Sequence, residues 1–175
     1  MNNYDLSEHR HRFAVWSASR AASVQFRRKD AEKEMRAALH ASTISSLVLS
    51  GPSNWPVADE INTLHATWAG ELQAMVAGAS YGRIAKLIAL YLKVMIVLGG
   101  YADHEFGQAL HPPVDSILLR NLSCDLTFSD EHRRLWLETR WTTLAKTQYF
   151  ELIETLRAEA LDKPAFWCIE RYWKP

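Results

Sequence analysis

Apolar residues recur at intervals of three and four along most of the chain, and no stretch settles into two-residue alternation, so the pattern predicts helices and no sheet. The first helix spans about 6–23, with Phe13, Trp16, Ala18 and Ala21–Ala22 at roughly helical spacing and His9, Arg10, Arg12 and Arg20 between them. A second covers about 30–40, and 41–49 adds a short third. GPSNWP at 51–56 is a loop, because a proline at either end disfavours a continuing helix. Ile61, Leu64, His65, Trp68, Leu72 and Met75 mark a helix over 59–76, ended by Gly78. The most apolar helix follows at about 82–98 and stops at Gly99–Gly100.

Beyond a polar, aromatic loop, YADHEFGQALH, the segment PPVDSILLRNL predicts a helix with its prolines in the first turn and Asp115 at about the third position. Helices over 129–138 and 144–161 complete the set. The closing stretch AFWCIERYW is expected to dock on the core, since exposed Phe166, Trp167, Tyr172 and Trp173 would form a large apolar patch. The expectation is an all-α protein, residues 1–175 forming one multi-helix domain of about seven to nine helices.

Composition narrows this picture. With 175 residues, 48% of them hydrophobic, the chain suits one core, as domains run roughly 100 to 150 residues. Lys plus Arg and Asp plus Glu number 20 each, so no net field draws nucleic acid from a distance and any such contact needs a local basic patch. His9 to Arg12, Arg27–Arg28–Lys29 and His132–Arg133–Arg134 with Arg140 are the candidates. Cys124 and Cys168 lack a CxxC partner and MNNYDLSEHRHRF lacks an apolar leader, which predicts a reduced, cytoplasmic protein. The apolar run 84–98 contains Lys86 and Lys93 and falls short of the about 20 residues of a membrane span, so a buried helix and no membrane are expected. Seven histidines occur without HExxH or CxxC, and no P-loop or GxGxxG is present, so neither metal nor cofactor is expected. GASYG at 78–82 matches GxSxG, but a helix precedes it, so Ser80 is expected to cap the following helix.

The candidate chemistry lies in the apolar helix and the segment after it. Lys86 and Lys93 are seven residues apart, close to two turns, and share a face with Arg83. One reading is a solvated basic stripe. The other is a nucleophile, which must shed a proton held with an ordinary pKa of about 10.4 and therefore needs burial or a neighbouring cation such as Arg83. Asp115, near a helix start, can accept orphan backbone N–H groups, which keeps it ionised. That suits an ordinary cap and equally a carboxylate facing a cationic sugar.

Gly82-Arg83-Ile84-Ala85-Lys86, then a loop, then Pro113-Val114-Asp115 before an apolar helix resembles the core of the helix-hairpin-helix glycosylase superfamily, in particular its 8-oxoguanine DNA glycosylase branch. The likeness covers residues 81–122. It implies a compact, glycosylase-like helical fold, a nucleophilic Lys86 and a catalytic Asp115, cleaving a base–sugar bond in DNA, with possible lyase action. Gly82, Arg83, Arg133 and Arg134 would then contact nucleic acid, and Tyr101, Phe106, His111 and Trp173 would wall the base pocket. Two features depart from the family: Ile84 stands where a second hairpin glycine is expected, and Lys86 and Asp115 are 29 positions apart, longer than the family's spacing. Lys93, nearer to Asp115 in sequence, is therefore a second candidate nucleophile. An alternative keeps the fold without the chemistry, as a recognition protein binding a protein partner through 164–175, an accessory in bacterial anti-phage defence.

Overall fold

The most apolar segment becomes the axis of the fold. In the computed structural model, which describes residues 5–160 and 163–175, α5 (Tyr81–Leu92) has 11 of its 12 residues buried. It continues into a π-wound stretch, Lys93–Tyr101, and the backbone turns at Gly100, the second glycine of the expected stop, whose φ of 96° suits glycine. Arg10 holds this end by donating to the Gly99 carbonyl at 2.6 Å. By length and hydropathy alone the 21 residues of Tyr81–Tyr101 would suffice to cross a membrane, yet here they are wrapped by the protein's other helices.

Around this axis stand α1 (Leu6–Ala22), α2 (Ala31–Ala41), α3 (Thr43–Leu49), α4 (Ile61–Met75), α6 (Glu105–Ala109), α7 (Ser116–Ser123), α8 (Asp130–Glu138) and α9 (Lys146–Ala158). Short 3-10 turns occupy Pro52–Asn54, Ala58–Glu60, Trp141–Thr143 and Phe166–Tyr172. All regular structure among the described residues is helical, and one apolar cluster runs through the molecule. The all-α expectation holds. Leu161, the expected end of the last long helix, lies outside the described residues.

Two expectations change. α1 faces α5 with Ala14, Val15, Ala18 and Ala22, all fully buried, whereas Phe13 and Trp16 are 51% and 42% exposed. Small side chains at three- and four-residue spacing let the two helices approach closely, and the bulky rings fall on the neighbouring face. The prolines at 112–113 do not begin α7. Asp115 is extended (φ −148°, ψ 178°) and α7 starts at Ser116, because the Asp115 side chain replaces the missing helical carbonyl partners from outside the helix.

A chain of buried polar groups cross-links the helices. His111 Nε2 meets Asn62 Oδ1 at 2.9 Å and its Nδ1 meets Tyr149 OH at 3.1 Å; Tyr149 OH meets His65 Nε2 at 3.4 Å, and His65 Nδ1 meets Tyr81 OH at 3.1 Å. With Asn62 presenting its carbonyl, every proton follows: both histidines are neutral with hydrogen on Nε2, Tyr149 donates to His111 and Tyr81 donates to His65. Burial lowers His65 to about 3 and puts His111 well below its ordinary value, with His65 and Arg157 lowering His111 further. A neutral chain of this kind satisfies each buried group without burying a charge.

The consequence is acid sensitivity. Each histidine is neutral in the fold but takes up a proton in the unfolded chain below about 6.5, so its stabilising effect is complete above that pH and is lost as pH falls toward the folded value. Denaturant titrations from pH 7 to pH 4 are expected to show stability falling by up to about 1.4 kcal/mol per pH unit for each histidine. His65→Phe is expected to flatten that slope; an unchanged slope would remove the histidine chain as its cause.

Candidate active site

The start of α5 is clamped from one side. Ser80 Oγ accepts the Arg83 N–H at 3.2 Å, capping the helix as expected, and donates to the Thr142 carbonyl at 2.7 Å. The Gly82 N–H goes to the Leu144 carbonyl at 3.1 Å, and a Cβ at Gly82 would run into the Trp141 carbonyl oxygen, so only glycine fits. Arg83 is buried and donates to the carbonyls of Ala22 and Val24 at 2.9 and 2.8 Å, its guanidinium lying 4.7 Å from the Phe26 ring centre. The helix start is thus fixed by its own chain.

One turn further, Lys86 is 8% exposed. Its ammonium lies 4.4 Å from the ring centre of Trp141 and 3.1 Å from Asp115 Oδ2. Both contacts attract a cation, one through charge and one through the negative face of the indole. Asp115 is 9% exposed and fully engaged: Oδ1 accepts the N–H groups of Ile117 and Leu118, each at 2.9 Å, and Oδ2 accepts Lys86 and the Trp173 indole N–H, the latter at 2.9 Å. Burial alone would raise the carboxyl, but the Leu118 N–H, the charge of Lys86 and the hydrogen bonds from Trp173 and Lys86 outweigh it and bring it below its ordinary value.

A cavity of about 270 Å³ opens beside this pair. Ser17, Ala21, Leu90 and Pro113 form its less polar walls, and Lys86, Lys93, Asp115, Glu170 and Trp173 supply the chemistry. Lys93 lies two turns beyond Lys86 on the same face and pairs with Glu170 Oε2. The two lysines and the aspartate singled out in the sequence therefore share one cavity, in which each lysine has its own carboxylate.

The other sequence candidates are scattered. Of the four expected pocket aromatics, only Trp173 lines the cavity. Phe106 is fully buried against Trp55 and Trp68, Tyr101 packs on Trp55, and His111 belongs to the buried polar chain. Gly82 and Arg83 are held inside the fold. Arg133 donates to the Ser123 carbonyl and Asp130 at the start of α8, and Arg134 is exposed on that helix. Among the described residues no group of three or more His, Cys, Asp or Glu is placed to hold a metal ion.

Two site residues escaped the sequence reading. Trp141 gives no local signal, since its role comes from a long-range approach to α5. Glu170 is the single acid within AFWCIERYW, and an acid inside a segment expected to dock on the core is the signal that was available. No family model matches the chain, and neither curated proteins nor solved structures give a match. The likeness of residues 81–122 to the glycosylase core therefore rests on those residues themselves.

Removing one partner of the central pair strands the other. Lys86→Met is expected to destabilise the protein by about 3–5 kcal/mol in urea at neutral pH, because it leaves a buried carboxylate unpaired. Trp173→Phe, which deletes one hydrogen bond to the carboxylate at a half-exposed ring, should cost about 1.5 kcal/mol, the lower end of the range for a bond to a charged group. Equal losses would contradict the ranking of charge over hydrogen bond at this site.

Proposed function

We propose that the protein is a nucleic-acid base-excising N-glycosylase acting through a lysine nucleophile and an aspartate, with DNA as its substrate. The supporting observation is the meeting of Lys86 and Asp115 in one cavity that also holds Lys93 and is walled by Trp173. In this reading a flipped nucleotide enters the cavity, the lysine amine attacks the anomeric carbon of its sugar, and Asp115 stays ionised and faces the positive charge that develops there. A Schiff base on the same lysine gives lyase action. Attack needs an unprotonated amine, so the Lys86–Asp115 pair must part as substrate enters. Lys86 is the leading nucleophile because it sits at the helix start beside Asp115, and Lys93 is its rival within the same cavity.

The turn before α5 points to a way of holding nucleic acid unlike the one the family likeness implies. The Gly82 amide is engaged by Leu144 and Arg83 faces inward, so backbone phosphates would have to be met elsewhere, with exposed Arg134 and Arg20 as candidates. The same enclosure favours the second reading, a binding protein that keeps the helical core and has lost catalysis.

Borohydride trapping separates the two. With duplexes carrying damaged bases or abasic sites, the wild type is expected to form a covalent product that Lys86→Gln abolishes and Lys93→Gln retains. The reverse pattern assigns Lys93. Binding without any trapped product, or trapping unchanged in both variants, contradicts the lysine mechanism and favours the binding protein.

A further inference from the structure

The two carboxylates of the cavity are not equivalent. Asp115 has four donors on its two oxygens, which leaves no room for a proton. Glu170 has Lys93 on Oε2, whereas its Oε1 is buried and meets no hydrogen-bond partner among the described residues. A buried anion with no donor on one of its oxygens is costlier than a neutral carboxyl in the same place, so this position favours holding a proton that it can give away. Glu170 is carried by the 3-10 turn Phe166–Tyr172, which packs on α6 and α7, so its position is fixed by the core and not by a free tail.

Resting on the glycosylase reading, we infer that Glu170 is the acid–base residue of the cavity, delivering a proton to the departing base, while Asp115 serves only as a fixed anion. The charged groups around it are Lys93 from the π-wound stretch, Lys86 from α5 and Asp115 from the α7 cap; on α6, Glu105 is occupied with the Ala58 N–H. Burial raises the Glu170 carboxyl, contact with Lys93 pulls it down, and the Asp115 anion adds to the rise, leaving it above the ordinary glutamate value. Two carboxyls in one cavity whose environments drive them apart in opposite directions divide into a proton carrier and an electrostatic partner.

The step balances as follows. The bond between the anomeric carbon and the base nitrogen breaks with its electron pair going to the base, and protonated Glu170 supplies the proton the base takes up. An unprotonated lysine amine forms the new bond to the anomeric carbon and becomes a secondary ammonium. Glu170 is left as a carboxylate stabilised by Lys93 and regains its proton from solvent.

The test combines two measurements on the full chain. Carbon-13 titration of the side-chain carboxyls is expected to place Glu170 above the ordinary glutamate range and Asp115 below the ordinary aspartate range. The opposite order, or an ordinary Glu170, overturns the assignment whether or not any base is released. In single-turnover base release, Glu170→Gln is expected to lower the rate constant by about a hundredfold or more and to abolish its fall at rising pH, while Asp115→Asn lowers the rate without moving that fall. A fall that persists unchanged in Glu170→Gln also overturns the assignment. If the wild type releases no base from any substrate, the glycosylase reading fails, and the carboxyl titration alone then decides whether Glu170 is the proton carrier of the cavity.

Discussion

A buried ammonium facing a buried carboxylate is the constraint on which this structure turns. Lys86 and Asp115 are each almost wholly removed from water, and taking two ions out of water costs several kcal/mol apiece before their attraction is counted. The surrounding chain supplies what offsets that cost: two backbone N–H groups from the first turn of α7, the indole N–H of Trp173 and the face of Trp141. Those contacts tie together the axial helix, the α7 cap, the turn at 141–143 and the C-terminal segment. The architecture around the pair is therefore shaped as much by the need to satisfy it as by apolar packing.

The same accounting explains how the charges are distributed. Arg83, one turn before Lys86, is satisfied by two main-chain carbonyls and so adds positive charge near the lysine without needing an acid of its own. Lys93 and Glu170 form a second pair across the cavity, incompletely hydrogen-bonded where the first is complete. A full pair beside a partial one gives the cavity one fixed anion and one carboxyl able to exchange a proton. On the far side of α5, the neutral chain from Tyr81 to Asn62 handles buried polarity by the opposite strategy, with every group paired and none ionised.

Much of the scaffold was legible in the sequence because helical periodicity is local. Glycines, serines and prolines marked most helix ends to within a few residues, and Ser80 caps α5 as its position suggested. Lys86, Lys93 and Asp115 stood out because charges within apolar stretches are rare. What the sequence did not show depends on approach in three dimensions. Phe13 and Trp16 carry the larger apolar surfaces of α1, yet the alanine stripe wins the contact with α5 because it permits closer packing. Arg83 reads as a surface cation until Ala22 and Val24 arrive from 59 or more residues away. Phe106 and His111 read as pocket aromatics but are drawn into the core and the buried polar chain, while Glu170 reaches the cavity and Trp141 reaches the Lys86 ammonium by approaches that only the folded chain makes.

A buried ion pair that exists for chemistry differs from one that exists for stability in what happens when both charges are removed together. The most direct measurement is the unfolding free energy of Lys86→Met/Asp115→Asn in denaturant at neutral pH, in which the Asn carbonyl oxygen keeps the α7 cap while its amide, unable to accept the Trp173 indole N–H, gives up that one hydrogen bond. If the pair is kept for its reactivity, the double variant should lose no more than about 1.5 kcal/mol, the worth of the hydrogen bond given up at Trp173, or exceed the wild type. A double variant that loses about 3 kcal/mol or more, as the single Lys86→Met is expected to, would show that the pair serves to hold the fold together, and would contradict the account.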